Sequence, residues 1–433
     1  MRWQIALCFL LWNSYTPEAQ GQIANLISGV GAINQSMGGA ATAMPLDASG
    51  SQFWNPATIT ELEATELDIN AEPVFVMSTL SSSIPANAIA PDLPPINLSG
   101  EVKNRANFTV APSIGFVKKI EQSPWRWGVL VTGVGGSTVN FTHHGNNPVT
   151  LDPPIGSGDT KVFGSFLQIS PTIAYRLNKH WSLGVQPNFN ITGFSSEPFS
   201  GAPPLDFDGD GIPTYPKIKK EAYAPGIGVQ GGLYYHRSWL HLGASIKSPQ
   251  WFLPYHPKVT YETGVERRVS TRANVPMIAS VGVGFSGIPR TKIAVDARYI
   301  DYANTTSYDK VGFTPQATVK GSGWQSIWAL ASGIQYEMSE NCSVRIGYSY
   351  NLSPIKPIYT AFAIGSPAVT QNYLSVGASY RFSPRFTLAA MFRHGFQGSR
   401  QGPIQTPLGP LPGSSIRLKT ALNVFVISLI FKF

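Results

Sequence analysis

Three aspartates at alternate positions are the strongest candidate for metal binding in the chain. Asp206, Asp208 and Asp210, followed by Gly211, resemble the start of a calcium loop, with oxygen ligands at alternate positions and a glycine at the turn. The twelfth position of such a loop holds Lys217 instead of the usual glutamate. Calcium binding and a plain acidic turn both stay open, and we predict no other cofactor.

The remaining residues do not form a catalytic constellation. Gly226, Gly228 and Gly231 have the spacing of a dinucleotide-binding loop, but another strand follows them where a helix is required. The seven histidines lack zinc-type spacing, and the sequence has no Gly-x-Ser-x-Gly nucleophile elbow. We therefore expect that the protein is not an enzyme.

Several basic residues alternate with apolar neighbours, which puts them on the polar face of predicted strands. They are Lys247, Lys292, Arg298, Arg345 and Arg393. Arg345, Arg298 or Lys292 could hold the carboxylate of an amphiphilic ligand. The alternative is pairing with a neighbouring acid such as Asp296. The other basic residues are scattered, whereas a nucleic-acid-binding protein would concentrate them on one element, so we expect no nucleic-acid partner.

The composition is unusual for a soluble protein. Charged residues make up 13% of the 433 residues, about half the roughly 25% of a typical soluble domain. The hydrophobic fraction of 43% argues against disorder. The 42 glycines and 35 prolines argue against a coiled coil.

Residues 1–21 predict a signal peptide for export. Arg2 precedes the apolar run 5–12, and Ala19 and Gly21 occupy positions −3 and −1 of a cleavage point. A buried first strand is the alternative. The remaining chain has no run of the roughly 18 to 20 apolar residues that a membrane helix needs.

Alternation of apolar and polar residues dominates the rest of the sequence. Val344, Ile346 and Tyr348 alternate with Arg345 and other polar or small residues, and similar stretches recur along the chain. This pattern predicts strands with one apolar face, which lies in a sandwich core or faces lipid in a membrane barrel. The last strand ends in Phe433, which is typical of barrels delivered by the outer-membrane assembly machinery.

The connections between these strands alternate between short and long, which favours the barrel. Six short turns and seven long loops join fourteen strands, the even count found in bacterial outer-membrane barrels. We therefore predict an all-β fold, a 14-stranded antiparallel transmembrane β-barrel over residues 61–433, in contact with lipid and lipopolysaccharide. The basic residues above would then face its lumen. The short turns are predicted at 118–125, 177–180, 236–239, 287–290, 337–341 and 383–385, and the long loops at about 80–104, 143–160, 195–220, 249–271, 303–324, 353–371 and 398–416.

Residues 22–60 do not alternate and are rich in glycine, alanine and serine. A disordered leader would not contain Met37, Phe53 and Trp54. A fourteen-stranded barrel is wide enough to need a plug, unless it is an open pore. We therefore predict that this segment is a plug inside the lumen.

Motifs within this segment resemble the N-terminal hatch of the long-chain fatty acid transporter (FadL) family, which also includes aromatic-hydrocarbon uptake proteins. They are Ser36–Ala40 (SMGGA), Asp47–Ser49 (DAS) and Trp54–Ala57 (WNPA). Segments 293–302, 343–354 and 373–395 are similar too. The resemblance implies a barrel plugged by its hatch, with Gly38, Gly39, Asn55, Pro56 and Ala57 as the hatch residues related to ligand passage.

The resemblance also implies the route of the ligand. In the family, hydrophobic ligands are captured near the outer surface and leave sideways through an opening at a kink in the third strand, close to the Asn-Pro-Ala turn. The third predicted strand, 125–141, contains Gly133, Gly135 and Gly136, and glycines inside a strand mark bulges. We predict a kink there, with tight packing against the hatch as the alternative.

The expected function is passive uptake of long-chain fatty acids or other hydrophobic compounds across the bacterial outer membrane, with lateral exit through the barrel wall. The alternative is a structural or interaction barrel, such as a type IX secretion shuttle protein, because such proteins are similar in the hatch region.

Overall fold

The computed structural model describes residues 22–23, 26–86, 88 and 97–433. The predicted signal peptide lies outside the described residues. Within the described part of the chain, no helix has the length and hydropathy that crossing a membrane requires.

Fourteen antiparallel strands form a closed barrel, as predicted. Each strand pairs with the next one along the chain, and the last pairs with the first from Ser415–Ser83 to Lys432–Glu66. Closure removes the two outer edges of the sheet, so neighbouring strands satisfy one another's backbone hydrogen bonds along the wall, apart from one gap described below, as a lipid environment demands. The strands are β1 (Glu66–Ile84), β2 (Phe108–Lys119), β3 (Trp125–Phe141), β4 (Thr160–Arg176), β5 (Trp181–Glu197), β6 (Ile218–Arg237), β7 (Leu240–Lys247), β8 (Ile278–Phe285), β9 (Thr291–Ile300), β10 (Ile327–Glu337), β11 (Cys342–Asn351), β12 (Asn372–Ser383), β13 (Phe386–Gly402) and β14 (Ser415–Lys432).

The connections follow the predicted alternation. β4 and β5 are joined by residues 177–180, for example, whereas β5 and β6 are joined by residues 198–217. Both ends of the barrel chain lie on the short-turn side. The long loops carry additional short elements, which are the strands Leu98–Lys103, Trp251–Phe252, Lys258–Thr260, Glu266–Arg268, Gln405–Thr406 and Gly409–Pro410 and the 3₁₀ helix Pro357–Ala363.

The apolar face of the strands points outward. In β11, Ile346 is 50% exposed, whereas the neighbouring Arg345 is 7% exposed and points into the lumen. In β14, Phe425 and Ile427 are likewise exposed. This arrangement is the reverse of a soluble core and matches a wall whose outer surface contacts acyl chains.

The N-terminal segment fills the lumen, as predicted. It contains the short strands Gln22–Ile23 and Leu26–Ile27, helix α1 (Ala32–Ser36), helix α2 (Ala48–Trp54) and the 3₁₀ helix Pro56–Glu61. All residues of both α-helices are buried. We call residues 26–61 the hatch. The sequence placed the boundary between plug and barrel at residues 60–61, and β1 begins at Glu66.

Apolar side chains fill the lumen between the hatch and the long loops. They form one contiguous cluster with hatch residues Leu26, Ile27, Phe53 and Trp54. We call it the outer cluster, and its largest barrel and loop members are Phe141, Phe166, Phe252, Ile300, Tyr302 and Trp324.

Candidate ligand path through the barrel

The Asn-Pro-Ala turn joins the hatch to the barrel wall. The buried Asn55 amide donates hydrogen bonds to the Thr42 carbonyl at 2.8 Å and to the Leu233 carbonyl of β6 at 3.0 Å. Its side-chain oxygen accepts the Ala57 N–H at 3.1 Å, which caps the 3₁₀ helix. The hydrogen bond to Leu233 therefore holds the turn against the wall, and those to Thr42 and Ala57 fix its shape within the hatch.

The turn lies against β5 and β6. A Cβ on Gly232 would overlap the Asn55 side chain, and one on Gly184 would overlap the backbone of Pro56. Gly184 pairs with Ala174 of β4, which in turn pairs with Arg126, seven residues before Gly133 in β3. The turn therefore does not lie beside the predicted kink, as the resemblance implied, but nearer the short-turn end of the wall.

Gly38 makes another close approach of hatch to wall, and Gly39 makes one within the hatch. Both adopt positive φ, +68° and +87°. A Cβ on Gly38 would lie 2.7 Å from the carbonyl oxygens of Ser332 and Tyr348, and one on Gly39 would overlap the Ser28 carbonyl. Only glycine combines this backbone conformation with this proximity.

An ion pair in β9 holds the middle of the hatch. Arg298 bonds to Asp296 at 2.6 Å and donates to the Gly39 carbonyl at 2.7 Å. The same Asp296 oxygen accepts the N–H groups of Ala41 and Thr42 at 2.9 Å and the Thr42 hydroxyl at 2.8 Å. The pair is fully buried, so both charges depend on these contacts.

The other predicted head-group residues also contact protein groups. Arg345 donates to Gln335 at 2.7 Å and to Ser379 at 3.1 Å. Lys292 lies at the short-turn end of β9, partly exposed, 3.6 Å from Glu337. Arg393 is buried and donates to Ser375, Ser28 and the Gln35 carbonyl. Head-group binding by Arg345, Arg298 or Lys292 stays a prediction, and Arg298 forms the pairing with Asp296 that we named as its alternative.

β3 separates from β2 halfway along its length. Their pairing runs from Lys119–Arg126 to Ser113–Thr132 and ends there. β3 continues along β4, but the register shifts by one residue between Gly133 and Gly135. A bulge of this kind bends a strand and increases its twist. The glycine-rich stretch therefore does produce an irregularity in the third strand.

The hatch reaches the wall where the two strands separate. Gly135 pairs with Leu26, at the start of the hatch. Further along β3, the Asn104 side chain accepts the Asn140 N–H at 2.7 Å and donates to the Thr138 carbonyl at 3.3 Å. These two hydrogen bonds connect the loop between β1 and β2 to β3 and close the wall again. We call the gap between residues 109–112 of β2 and 133–137 of β3 the window. Sequence reasoning missed Leu26 and Asn104, since neither stands in a recognisable motif.

The sequence matches one family over residues 10–432, described as outer membrane protein transport protein (OMPP1/FadL/TodX). The chain belongs to this family. It is therefore an outer-membrane transport protein that crosses the membrane with its barrel strands, and it is not an enzyme. None of the curated proteins compared with it matched.

Solved structures of OMPP1/FadL/TodX proteins share its fold at low sequence identity. A Pseudomonas aeruginosa FadL homologue has a TM-score of 0.72 at 14% identity and covers 95% of this chain and 100% of its own. The P. putida toluene transporter TodX has 0.69 at 15%, covering 94% and 99%. The Ralstonia pickettii toluene transporter TbuX has 0.65 at 14%, covering 94% and 99%.

In this FadL/TodX-family barrel, carboxylates surround the start of α2. Asp47 accepts the Gly50 N–H at 2.8 Å, Glu66 accepts the Ala48 N–H at 2.7 Å, and Asp68 accepts the Ser49 N–H at 2.8 Å. Burial, reinforced by the charge of Glu66, raises the pKa of Asp47 from 3.8 to about 7. Sequence reasoning used Asp47 only as part of a motif and missed its partners in β1.

The three aspartates of the predicted calcium loop come together on the surface. The ligand atoms of Asp206, Asp208 and Asp210 lie within 4.8 Å of one another, and all three residues are exposed. Asp206 also accepts the N–H groups of Gly209 and Gly211, as in an ordinary acidic turn. Calcium binding therefore stays a prediction.

Proposed function

We propose that this protein takes up long-chain fatty acids or other hydrophobic compounds by passive diffusion and releases them sideways through the window. The observation that carries the proposal is the separation of β2 from β3, where the wall contact of β3 passes to Leu26 of the hatch. A gap filled by a separate segment can open without breaking the rest of the ladder.

The outer cluster supports entry of a hydrophobic ligand. Burial of apolar surface stabilises a ligand by about 25 cal/mol per Å², and the outer cluster supplies apolar and aromatic partners between the long loops and the hatch. Such a lumen suits small hydrophobic ligands better than the protein cargo of a type IX secretion shuttle. The similar proteins TodX and TbuX are toluene transporters, which favours the same ligand class.

The small residues around the window support lateral exit. Thr109 and Ala111 of β2 and Gly133 and Gly135 of β3 border it, and all four are small and buried. Passage requires displacement of Leu26, which is attached to the wall through a single paired residue of β3. A ligand leaving here enters the membrane without crossing water.

We also infer that the outward apolar faces contact lipid and lipopolysaccharide, and that the strand ending in Phe433 is recognised by the assembly machinery.

Deletion of Val134 tests this route. Removing the extra residue of the bulge restores a continuous register with β4, and we expect the straightened β3 to pair with β2 past Thr132. We expect purified protein to keep saturable binding of radiolabelled oleate or toluene, while uptake into cells falls to the level of cells lacking the protein. Val134→Ala, which keeps the extra residue, is the matched control. Unchanged uptake by the deletion variant would exclude the window as the exit, and no binding by folded wild type would exclude the function.

A further inference from the structure

Four basic residues lie together on the outside of the barrel wall, at its long-loop end. They are Lys103 and Arg105 of the loop between β1 and β2, and Arg417 and Lys419 of β14. Thr79 of β1 pairs with Lys419 on one side and with Lys103 on the other, so the Cα atoms of the two lysines are two strand spacings, about 10 Å, apart. We call the four residues the basic cluster. They come from segments far apart in the chain, so the scattered cations of the sequence did not reveal it.

The basic cluster has no acid as a partner. Among the residues that the structure describes, no carboxylate lies within ion-pair distance of any of the four side chains. Arg417 donates to the side-chain oxygen of Gln401 at 2.8 Å, which is an uncharged acceptor. Glu101 lies on the same face but accepts the hydroxyl of Ser81 at 2.9 Å. Four cations against this acid leave the face positively charged.

Aromatic side chains continue the same face towards the centre of the membrane. Phe75 and Met77 precede Thr79 on the outward side of β1 and are 40% and 50% exposed. The ring centroid of Phe75 lies 4.9 Å from that of Phe108 in β2 and 6.1 Å from that of Phe425 in β14. Membrane barrels place such aromatic groups where the hydrocarbon meets the polar head groups. The lysines beside Thr79 therefore lie in the first polar row above the hydrocarbon.

This order of apolar and basic surface fits a phosphorylated glycolipid. Acyl chains would contact the aromatic group, and phosphates would reach the cations, which bind them through charge-assisted hydrogen bonds. The long-loop end of a bacterial barrel faces the outside, where lipopolysaccharide supplies the phosphates. Resting on the proposed function, in which the outward faces contact lipopolysaccharide, we infer that the basic cluster is a binding site for the phosphate groups of lipopolysaccharide.

The basic cluster also borders the window. Lys103 and Arg105 flank Asn104, whose side chain closes the wall beyond the window, and the Arg105 N–H donates to the Asn140 carbonyl at 2.9 Å. A phosphate held between Lys103 of the loop and Lys419 of β14 ties this loop to the wall across β1. Bound lipopolysaccharide thus braces the outer border of the exit.

Binding of lipid A with and without its phosphates tests this inference. Diphosphorylated lipid A and lipid A stripped of both phosphates are titrated into purified full-length protein in a non-ionic detergent at low ionic strength. We expect wild type to bind the diphosphorylated form at least about tenfold more tightly, which corresponds to about 1.4 kcal/mol. Its binding should also slow hydrogen exchange at the amides of residues 104–106.

Charge removal at the two rims of the barrel provides the variant and its control. Lys103→Gln combined with Lys419→Gln should abolish the preference by weakening the diphosphorylated form alone, and the corresponding arginine variant should keep it. The matched control combines Lys118→Gln with Lys179→Gln, which removes two exposed lysines at the short-turn end and should leave the preference unchanged. If the first variant does not fold, Arg417→Gln must reduce the preference, and full retention would refute the inference.

Other outcomes would overturn the inference. Equal affinity of wild type for both forms of lipid A would refute it, as would an equal loss of preference in the control variant or unchanged exchange of residues 104–106. Phosphatidylglycerol bound as tightly as diphosphorylated lipid A would indicate a site for any anionic lipid and refute the assignment to lipopolysaccharide. Radiolabelled oleate and toluene are measured on the same preparation. Their binding without a lipid A preference would leave the proposed function standing, and their failure to bind alongside a lipid A preference would refute the proposed function alone.

Discussion

The guanidinium carbon of Arg298 lies 3.4 Å from the centroid of the Trp54 indole ring. Arg298 belongs to the barrel wall and Trp54 ends α2 of the hatch, so one contact joins the fixed and the enclosed part of the molecule. Asp296 completes the arrangement by binding Arg298 and the hatch backbone together. Polar contacts as well as packing therefore hold the hatch in the lumen, and each polar contact can be tested by a single substitution.

Asp296→Asn should loosen the hatch while leaving the barrel folded. The amide cannot neutralise Arg298, and breaking a buried ion pair from one side costs about 3 to 5 kcal/mol. We expect faster hydrogen exchange at the amides of residues 40–42, with unchanged exchange in β9. Glu337→Gln removes the acid of an exposed pair with Lys292 and should cost less than about 1 kcal/mol. If the amides of residues 40–42 exchange equally fast in Asp296→Asn and Glu337→Gln, the Asp296–Arg298 pair does not hold the hatch more firmly than the Lys292–Glu337 pair does.

The barrel could be predicted from the sequence because its signal is local. Alternation along a strand determines which side chains share a face, so Arg345 inward and Ile346 outward follow from their neighbours alone. The lengths of the connections then gave the strand count and the side of the barrel on which each connection lies. The position of the hatch could be predicted because a segment that does not alternate cannot form part of the wall, and its apolar residues then have to be buried inside the lumen.

The contacts of the hatch could not be predicted in the same way. The bond from Asn55 to Leu233 and the pairing of Leu26 with Gly135 join residues far apart in the sequence. They depend on how a short, irregular segment folds within a closed space, for which no periodicity exists. The resemblance therefore singled out Asn55, whose role in ligand passage stays a prediction, but it associated the Asn-Pro-Ala turn with a part of the wall from which the structure separates it.

Gly39→Ala should prevent the hatch from seating. An alanine Cβ would overlap the Ser28 carbonyl, and φ is +87°, so both steric overlap and backbone strain oppose the substitution. The matched control is Gly264→Ala, with φ of +83° and no atom near its Cβ, which carries only the strain of about 1 to 2 kcal/mol. We expect protease cleavage within residues 26–61 for Gly39→Ala only. Resistance of both variants would show that the hatch backbone can shift to accommodate a methyl group.

Asn55→Asp tests whether the turn is held by its donated hydrogen bonds. A carboxylate can still accept the Ala57 N–H, but it cannot donate to the carbonyls of Thr42 and Leu233 and would repel both. Leaving such buried groups unsatisfied costs about 1 to 3 kcal/mol each. We expect the exchange of residues 55–58 to rise more than in Asn55→Ala, which removes the donors without adding charge. The reverse order would indicate that the capping bond to Ala57 matters more than the bonds donated to Thr42 and Leu233.

The seating of the hatch should weaken as the pH rises towards neutrality, through Asp47. Burial, and after it the charge of Glu66, favours the protonated carboxyl, whereas Arg345 and the N–H groups of Gly50 and Asn34 favour the ionised form. The net result is a pKa of about 7, against 3.8 when the group is free. The seated hatch therefore binds more protons than the released one, so its stability is greatest below about pH 4 and declines until about pH 7.

Hydrogen exchange of the amides of residues 48–51, corrected for intrinsic rates, measures this dependence between pH 5 and pH 8. We expect the free energy of opening to fall in wild type by on the order of 1 to 3 kcal/mol over this range, because each pKa unit corresponds to about 1.4 kcal/mol. Asp47→Asn keeps a helix-capping side chain but does not titrate, so it should show a smaller slope. Because Glu66 and Asp68 contact the same helix start, Asp68→Asn serves as the comparison. If the free energy of opening still depends on pH in Asp47→Asn but no longer does so in Asp68→Asn, the titrating group belongs to β1 and not to the hatch.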